Sequence, residues 1–193
     1  MQALGFRLFK WTVYGLLVLN TYFFLRTEET LTAFIDSAAW LLLLGVMEYE
    51  TRSLESDYDS VWEQRIIVLL NVFAYSVIIY AWYGYIRERD WVDAINASAW
   101  LGVCAVLVWQ VYVPGDYEGP EYRIVNACKT GLYAVLLGCA VWWTIDASNP
   151  LDAIDAWLWL ACFAVIELNV FGFEHAGSPV AAAVETETGD RKG

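Results

Sequence analysis

The sequence is poor in the residues that build metal and redox sites. It has a single histidine, His175, which excludes a haem held between two histidines within a membrane. Its cysteines show no C-x-x-C spacing, so neither a zinc site nor a redox motif is indicated. A buried free cysteine behaves as a small hydrophobic residue. We therefore expect no metal and no cofactor, and structural thiols at Cys104, Cys128, Cys139 and Cys162.

Sequence motifs of catalysis are missing as well. The chain has no H-E-x-x-H metal motif, no G-x-S-x-G nucleophile turn and no glycine-rich phosphate loop. A carboxylate inside a membrane can act as an acid or a base, but no substrate-binding constellation accompanies one here. The sequence therefore favours a protein that is not an enzyme.

Positive charge is scarce. The chain has 11 lysines and arginines against 23 aspartates and glutamates, a formal net charge of −12. A general nucleic-acid binder would be basic, and a polybasic patch for anionic lipid is also missing. Much of the acid lies in residues 48–65. This excess of acidic residues either reflects an acid-rich proteome or serves to attract cations to the membrane surface.

Apolar residues, in contrast, are abundant. They make up 59% of the 193 residues and charged residues 18%, against about 45–50% and about 25% in soluble domains. A spanning helix needs about 20 mostly apolar residues, and a β-barrel would alternate apolar and polar residues instead. The sequence therefore predicts an all-α polytopic membrane protein with six transmembrane helices, over Leu8–Leu25, Leu31–Tyr49, Ile66–Ile86, Trp91–Val113, Ile124–Ile145 and Leu151–Phe173.

The orientation of these spans follows from the lysines and arginines in short loops. Eight lie on the side of the two termini and three on the other side. The first span has the basic start of a signal peptide but no small-x-small cleavage site, so we expect it to remain. This pattern predicts a multi-pass protein of the inner or plasma membrane with both termini in the cytoplasm.

One phrase occurs three times. "IDSAAWLLLL", "INASAWLGVC" and "IDAWLWLACF" align on an acid or amide at intervals of 60 and 59 residues. A tryptophan follows four residues later, and a hydrogen-bonding side chain ten residues after that. The aligned columns are Asp36, Asn96 and Asp155, then Trp40, Trp100 and Trp159, then Glu50, Gln110 and Asn169.

The preceding spans repeat too. "KWTVYGLL", "NVFAYSVI" and "KTGLYAVL" align without a gap, giving the columns Lys10, Asn71 and Lys129, then Tyr14, Tyr75 and Tyr133. We interpret the chain as three parallel two-helix hairpin repeats of about 60 residues, around a pseudo-threefold axis along the membrane normal. The repeat units are 1–50, 64–113 and 122–173. They form one transmembrane domain, 1–173, followed by a disordered cytoplasmic tail, 174–193.

The polar columns match in direction and in depth. At 100° per residue, Asp36, Trp40 and Glu50 share a stripe about 80° wide, and Glu48 lies off it. We expect cytoplasmic-edge contacts between side chains of equal depth: Lys10 with Glu48 and Glu50, Asn71 with Gln110, and Lys129 with Glu167 and Asn169.

Two interpretations of these columns stay open. They are either clasps within each hairpin, each hydrogen bond contributing about 0.6 kcal/mol, or the lining of a central path, because ionisable residues inside membranes usually face cavities. In the second case the Asp/Asn column rings the external mouth and the tyrosines line the middle. An inner gate is then formed, with Lys10 and Lys129 as counter-ions, by Glu48, Glu50, Gln110, Glu167 and Asn169. Helix N-capping explains part of the Asp/Asn column.

The tryptophan column is more typical of packing than of a ligand site, although a flat apolar ligand can stack there.

Two functions follow: a small permease or channel for protons, cations or a small solute, or a non-catalytic scaffold or accessory subunit that binds lipid, an apolar pigment or quinone, or a partner membrane complex. The columns favour the first. Expected partners are the lipid bilayer and a membrane-protein partner or second copy, with no nucleic acid.

Overall fold

The computed structural model describes residues 2–26, 31–53, 60–112, 120–146 and 150–176. Side chains are described from residue 8 to residue 164 within these ranges, except at 51–53 and 110–112. The described chain is helical apart from Ser60, Arg89 and Asp90. The helices are α1 Gln2–Arg26, α2 Leu31–Ser53, α3 Val61–Glu88, α4 Trp91–Tyr112, α5 Pro120–Asp146 and α6 Pro150–Ala176.

Each predicted span lies on one of these helices, except that Val113, the last residue of the fourth span, lies outside the described residues. Over the described residues, α1 to α5 are long and apolar enough to cross a membrane. Helix α6 runs to Ala176, beyond the predicted start of the tail, and residues 177–193 lie outside the described residues. The all-helical class is confirmed.

The connection between α3 and α4 explains how one helix reverses into the next. Arg89 has left-handed backbone angles (φ 63, ψ 27). Its N–H donates to the Ile86 carbonyl, and the Asp90 N–H donates to the Tyr85 carbonyl at 2.9 Å. These bonds form a Schellman motif that ends α3. The Asp90 carboxylate then accepts a bond from the Asp93 N–H and caps α4.

The helices form a closed ring. Each packs against its neighbours along the chain, and α6 packs back against α1. The end of the ring at which α1, α3 and α5 end is called the loop end. The opposite end is called the terminal end. Near the loop end a side-chain hydrogen bond joins α1 to α2, α3 to α4 and α5 to α6: Thr21 with Ser37, Trp82 with Ser98, and Trp157 with Thr144.

The outer surface of the ring is apolar. On α3, Val68, Leu69 and Ile79 are all more than half exposed, and the same is true of Val18 on α1. A helix of a water-soluble protein turns polar residues outward, and a continuous apolar surface needs to be covered. Together with the length of the helices, this surface shows a membrane-embedded protein.

All six helices contribute to the main core. Three residues on α1, α3 and α5, each three positions after the aligned tyrosine of its helix, are buried to the same degree. Leu17 is 1% exposed, Ile78 0% and Leu136 1%. A second set on α2, α4 and α6 consists of small buried residues, Ser37, Ala97 and Ala156. Small side chains allow neighbouring helices to approach closely.

Candidate functional site: an acidic vestibule above a tryptophan layer

Three tryptophans meet in the middle of the helix ring, one each from α2, α4 and α6. The ring centroids are 6.2 Å apart for Trp40 and Trp100, 6.2 Å for Trp40 and Trp159, and 6.4 Å for Trp100 and Trp159. Phe163 packs against this group, 4.5 Å from Trp100. The three indoles are only 5–7% exposed. We call Trp40, Trp100 and Trp159 the tryptophan layer.

The side chains around and beyond the tryptophan layer are tightly packed. By helix register, Leu17, Ile78 and Leu136 lie level with it, and Val103 and Cys162 lie one turn closer to the terminal end. These five are the largest side chains with less than 2% exposure. Protein interiors packed in this way leave few voids larger than a water molecule. The layer therefore closes the middle of the ring.

A cavity of about 50 Å³ lies on the loop-end side of the tryptophan layer. Asp36, Asn96 and Asp155 line its wall, one turn of helix above the indoles. Asp93 and Asp152 line it one further turn towards the loop end. A water molecule needs about 10–15 Å³ of such volume, so several waters fit. We call this cavity the vestibule.

Helices α1, α3 and α5 supply an aromatic collar to the vestibule. Its members are Phe24, Tyr85 and Trp143, which are 4%, 6% and 8% exposed. Each follows the tyrosine column by ten residues. Sequence reasoning missed this collar because three different aromatic residues occupy the position, although extending the same alignment finds it.

Two of the vestibule's carboxylates are held by the neighbouring helix on the ring. Asn20 on α1 donates to Asp155 Oδ1 on α6 at 2.9 Å. Tyr85 on α3 donates to Asp36 Oδ2 on α2 at 3.3 Å. The other oxygen of Asp36, Oδ1, is buried and has no hydrogen-bond partner among the described residues. Asp36 therefore has an acceptor that the described chain does not use.

The terminal end of α1 and α2 is clasped by an ion pair. Lys10 Nζ lies 2.6 Å from Glu48 Oε1, and the Tyr14 hydroxyl donates to Glu48 Oε2 at 3.3 Å. The lysine ammonium also lies 5.9 Å from the centre of the Tyr14 ring. In this pair of helices, Lys10 and Tyr14 act together on Glu48, two residues before Glu50 of the aligned column.

The corresponding residues of the other helix pairs are only partly described. Asn71 and Tyr75 on α3 and Tyr133 on α5 are half-buried, and Lys129 is buried at 7% exposure. Their predicted partners, Gln110, Glu167 and Asn169, have side chains outside the described residues. Of the predicted inner-gate acids and amides, the described side chains are Glu48, which pairs with Lys10, and Glu50, which is half-buried.

The carboxylates and thiols in the described part of the chain are not grouped as metal ligands. No group of three His, Cys, Asp or Glu side chains there is placed to hold a metal ion. Cys104, Cys128, Cys139 and Cys162 are free thiols. The vestibule carboxylates are thus spread around a wall and do not converge on one point.

Comparison with known proteins gives no match to a family model, to a curated protein or to a solved structure.

Proposed function

We propose that this protein is a small permease or channel for protons or small cations, here in a closed state. The vestibule carries the proposal. It combines four carboxylates, Asp36, Asp93, Asp152 and Asp155, at one end of the helix ring with three indoles at its base. A carboxylate inside a membrane costs roughly 2.5–3.5 kcal/mol on insertion scales, and such residues usually serve an ion pathway.

The tryptophan layer is the gate in this proposal. Hydrophobic constrictions stop ions by excluding water, and the constriction opens when its side chains move. Trp40, Trp100 and Trp159 fill the middle of the ring, with further apolar side chains beyond them. Cations enter the vestibule and cross only when the indoles change rotamer.

We propose also that the chain is a threefold repeat of two-helix hairpins. The near-equal triangle of tryptophans and the matched burial of Leu17, Ile78 and Leu136 support it. A shared axis then passes through the tryptophan layer. With the predicted orientation of both termini in the cytoplasm, the vestibule opens on the external side.

Uptake by proteoliposomes tests the permease. Proton and monovalent-cation uptake under an imposed gradient is expected to exceed that of empty liposomes, and to fall at least severalfold when Asp36→Asn and Asp155→Asn are combined. Glu88→Gln, at an exposed position at the end of α3, is the matched control and leaves uptake unchanged. Uptake no faster than in empty liposomes, or uptake unaffected by the double substitution, contradicts the proposal.

A second candidate is the non-catalytic scaffold that binds lipid, an apolar pigment or quinone, or a partner membrane complex. The dry packing around and beyond the tryptophan layer favours it, since Ile78, Val103 and Cys162 are all fully buried. The two candidates differ in one result. Trp100→Ala lowers stability in either case. In a permease it also opens a leak, whereas in a scaffold uptake stays at the level of empty liposomes.

A further inference from the structure

The vestibule has an acceptor that lacks a donor. Asp36 Oδ1 is buried without a hydrogen-bond partner among the described residues, while Oδ2 accepts the Tyr85 hydroxyl. A buried acceptor left unsatisfied destabilises the folded protein, and more strongly when it is charged. A ligand that carries an N–H or O–H group and enters the vestibule removes this cost.

The base of the vestibule is suited to positive charge. Trp40, Trp100 and Trp159 line it together with the carboxylates. Tryptophan is the best aromatic partner for a cation, and cation–π contacts are stronger when they are shielded from water. The described lining residues include four carboxylates and neither lysine nor arginine.

The size and layout of the vestibule narrow the class of cation. A volume of about 50 Å³ holds only a few water-sized atoms, which excludes choline-sized ligands. The described carboxylates form no set that holds a metal ion. A cation with N–H donors and little bulk fits both the single open acceptor and the aromatic base.

We propose that the vestibule binds a small ammonium ion, either ammonium itself or methylammonium. The ammonium N–H groups donate to Asp36 Oδ1 and to the carboxylate of Asp155, and the remaining face of the cation lies against the indoles. Asp93 and Asp152, near the opening, raise the local concentration of cations. The inference deepens the proposed permease function and rests on it for transport, but binding is measured separately.

Thermal unfolding of the purified full chain in mild detergent tests the binding. At constant ionic strength, replacing sodium chloride by methylammonium chloride is expected to raise the unfolding temperature in a saturable way, because a ligand that binds only the folded state stabilises it. Tetramethylammonium, which has no N–H donor and more bulk, gives no such shift. Equal unfolding temperatures in methylammonium and sodium chloride, or equal shifts in methylammonium and tetramethylammonium chloride, overturn the proposal.

Variants locate the site. Asp36→Asn is expected to weaken methylammonium binding by about tenfold, the loss that corresponds to one charge-assisted hydrogen bond, and Glu88→Gln leaves binding unchanged. Unaltered affinity in Asp36→Asn overturns the assignment. If that variant does not fold, the salt series on the unmodified chain decides.

The binding and uptake measurements separate the two proposals. Selective binding of methylammonium without uptake above that of empty liposomes supports the site and contradicts the permease. Uptake of protons that depends on Asp36 and Asp155, without selective binding of methylammonium, supports the permease and overturns the ammonium site.

Discussion

Trp40 and Trp100 lie 60 residues apart in the sequence, yet their ring centroids are 6.2 Å apart in the middle of the helix ring. With Trp159 they form a nearly equilateral triangle. The acidic vestibule lies on one side of this layer and packed apolar side chains lie on the other. The same three indoles therefore stabilise the protein and form the barrier that we propose for ion passage.

The first prediction concerns the packing of the tryptophan layer. Trp100→Ala removes a buried indole that contacts Trp40, Trp159 and Phe163. Truncation of a buried tryptophan costs about 3–5 kcal/mol because it leaves a cavity. We expect a loss of this size in the free energy of unfolding, measured by denaturant titration in detergent.

Trp142→Ala is the control for Trp100→Ala, because Trp142 is 57% exposed on the outer surface of α5. We expect it to change the free energy of unfolding by less than about 1 kcal/mol. Equal losses in the two variants would show that Trp100 does not occupy a packed centre.

The second prediction concerns the closure of the ring between α1 and α6. Asn20→Leu removes the donor to the Asp155 carboxylate. A buried acceptor that loses its partner costs about 1–3 kcal/mol, whereas replacing both partners by apolar groups is nearly neutral. We expect Asn20→Leu to destabilise the protein by that amount and Asn20→Leu with Asp155→Leu to recover most of it.

A double-mutant cycle on unfolding free energies checks this pair, because it isolates the interaction between the two side chains. Additive effects of Asn20→Leu and Asp155→Leu would mean that the hydrogen bond between α1 and α6 contributes nothing.

The third prediction concerns the clasp at the terminal end. Lys10 and Glu48 are 17% and 19% exposed, and their ion pair measures 2.6 Å. Lys10→Glu places two acids together and is expected to cost about 1–2 kcal/mol, in the upper range of polar contacts between membrane helices. The exchanged variant, Lys10→Glu with Glu48→Lys, is expected to restore most of the loss in thermal unfolding.

If the exchanged variant is no more stable than Lys10→Glu alone, the ion pair does not hold α1 to α2. Lys10→Glu combined with Glu121→Lys, at an exposed position in the first turn of α5, is not expected to recover stability. This comparison separates the specific pair from a simple change in net charge.

The helices were predictable from sequence because each is marked by length and hydropathy over a continuous run. The tryptophans share a column in the sequence, but their direction was not predictable. A hairpin clasp and a central layer have the same helical periodicity. Only the packing of α2, α4 and α6 against their neighbours in the ring decides which way Trp40 points.

The pairing of Lys10 with Glu48 also depends on which face of α2 points towards the centre of the ring. Glu48 lies about 120° from Asp36 around α2 at 100° per residue, so it is off the stripe that carries Trp40. Because that stripe faces the centre of the ring, Glu48 turns towards α1, where it contacts Lys10 and Tyr14. Sequence spacing alone gave Glu48 and Glu50 the same depth and left the choice between them open.

The proposed ion path requires a vestibule that is open at one end and closed by the tryptophan layer. Labelling with a small charged methanethiosulfonate tests it in proteoliposomes, after the four cysteines are replaced by alanine. We expect Asp93→Cys, in the first turn of α4, to react from one side of the membrane only. Val103→Cys, three residues past Trp100 and fully buried, is expected to react from neither side. Labelling of Val103→Cys, or labelling of Asp93→Cys from both sides or from neither, would contradict the account.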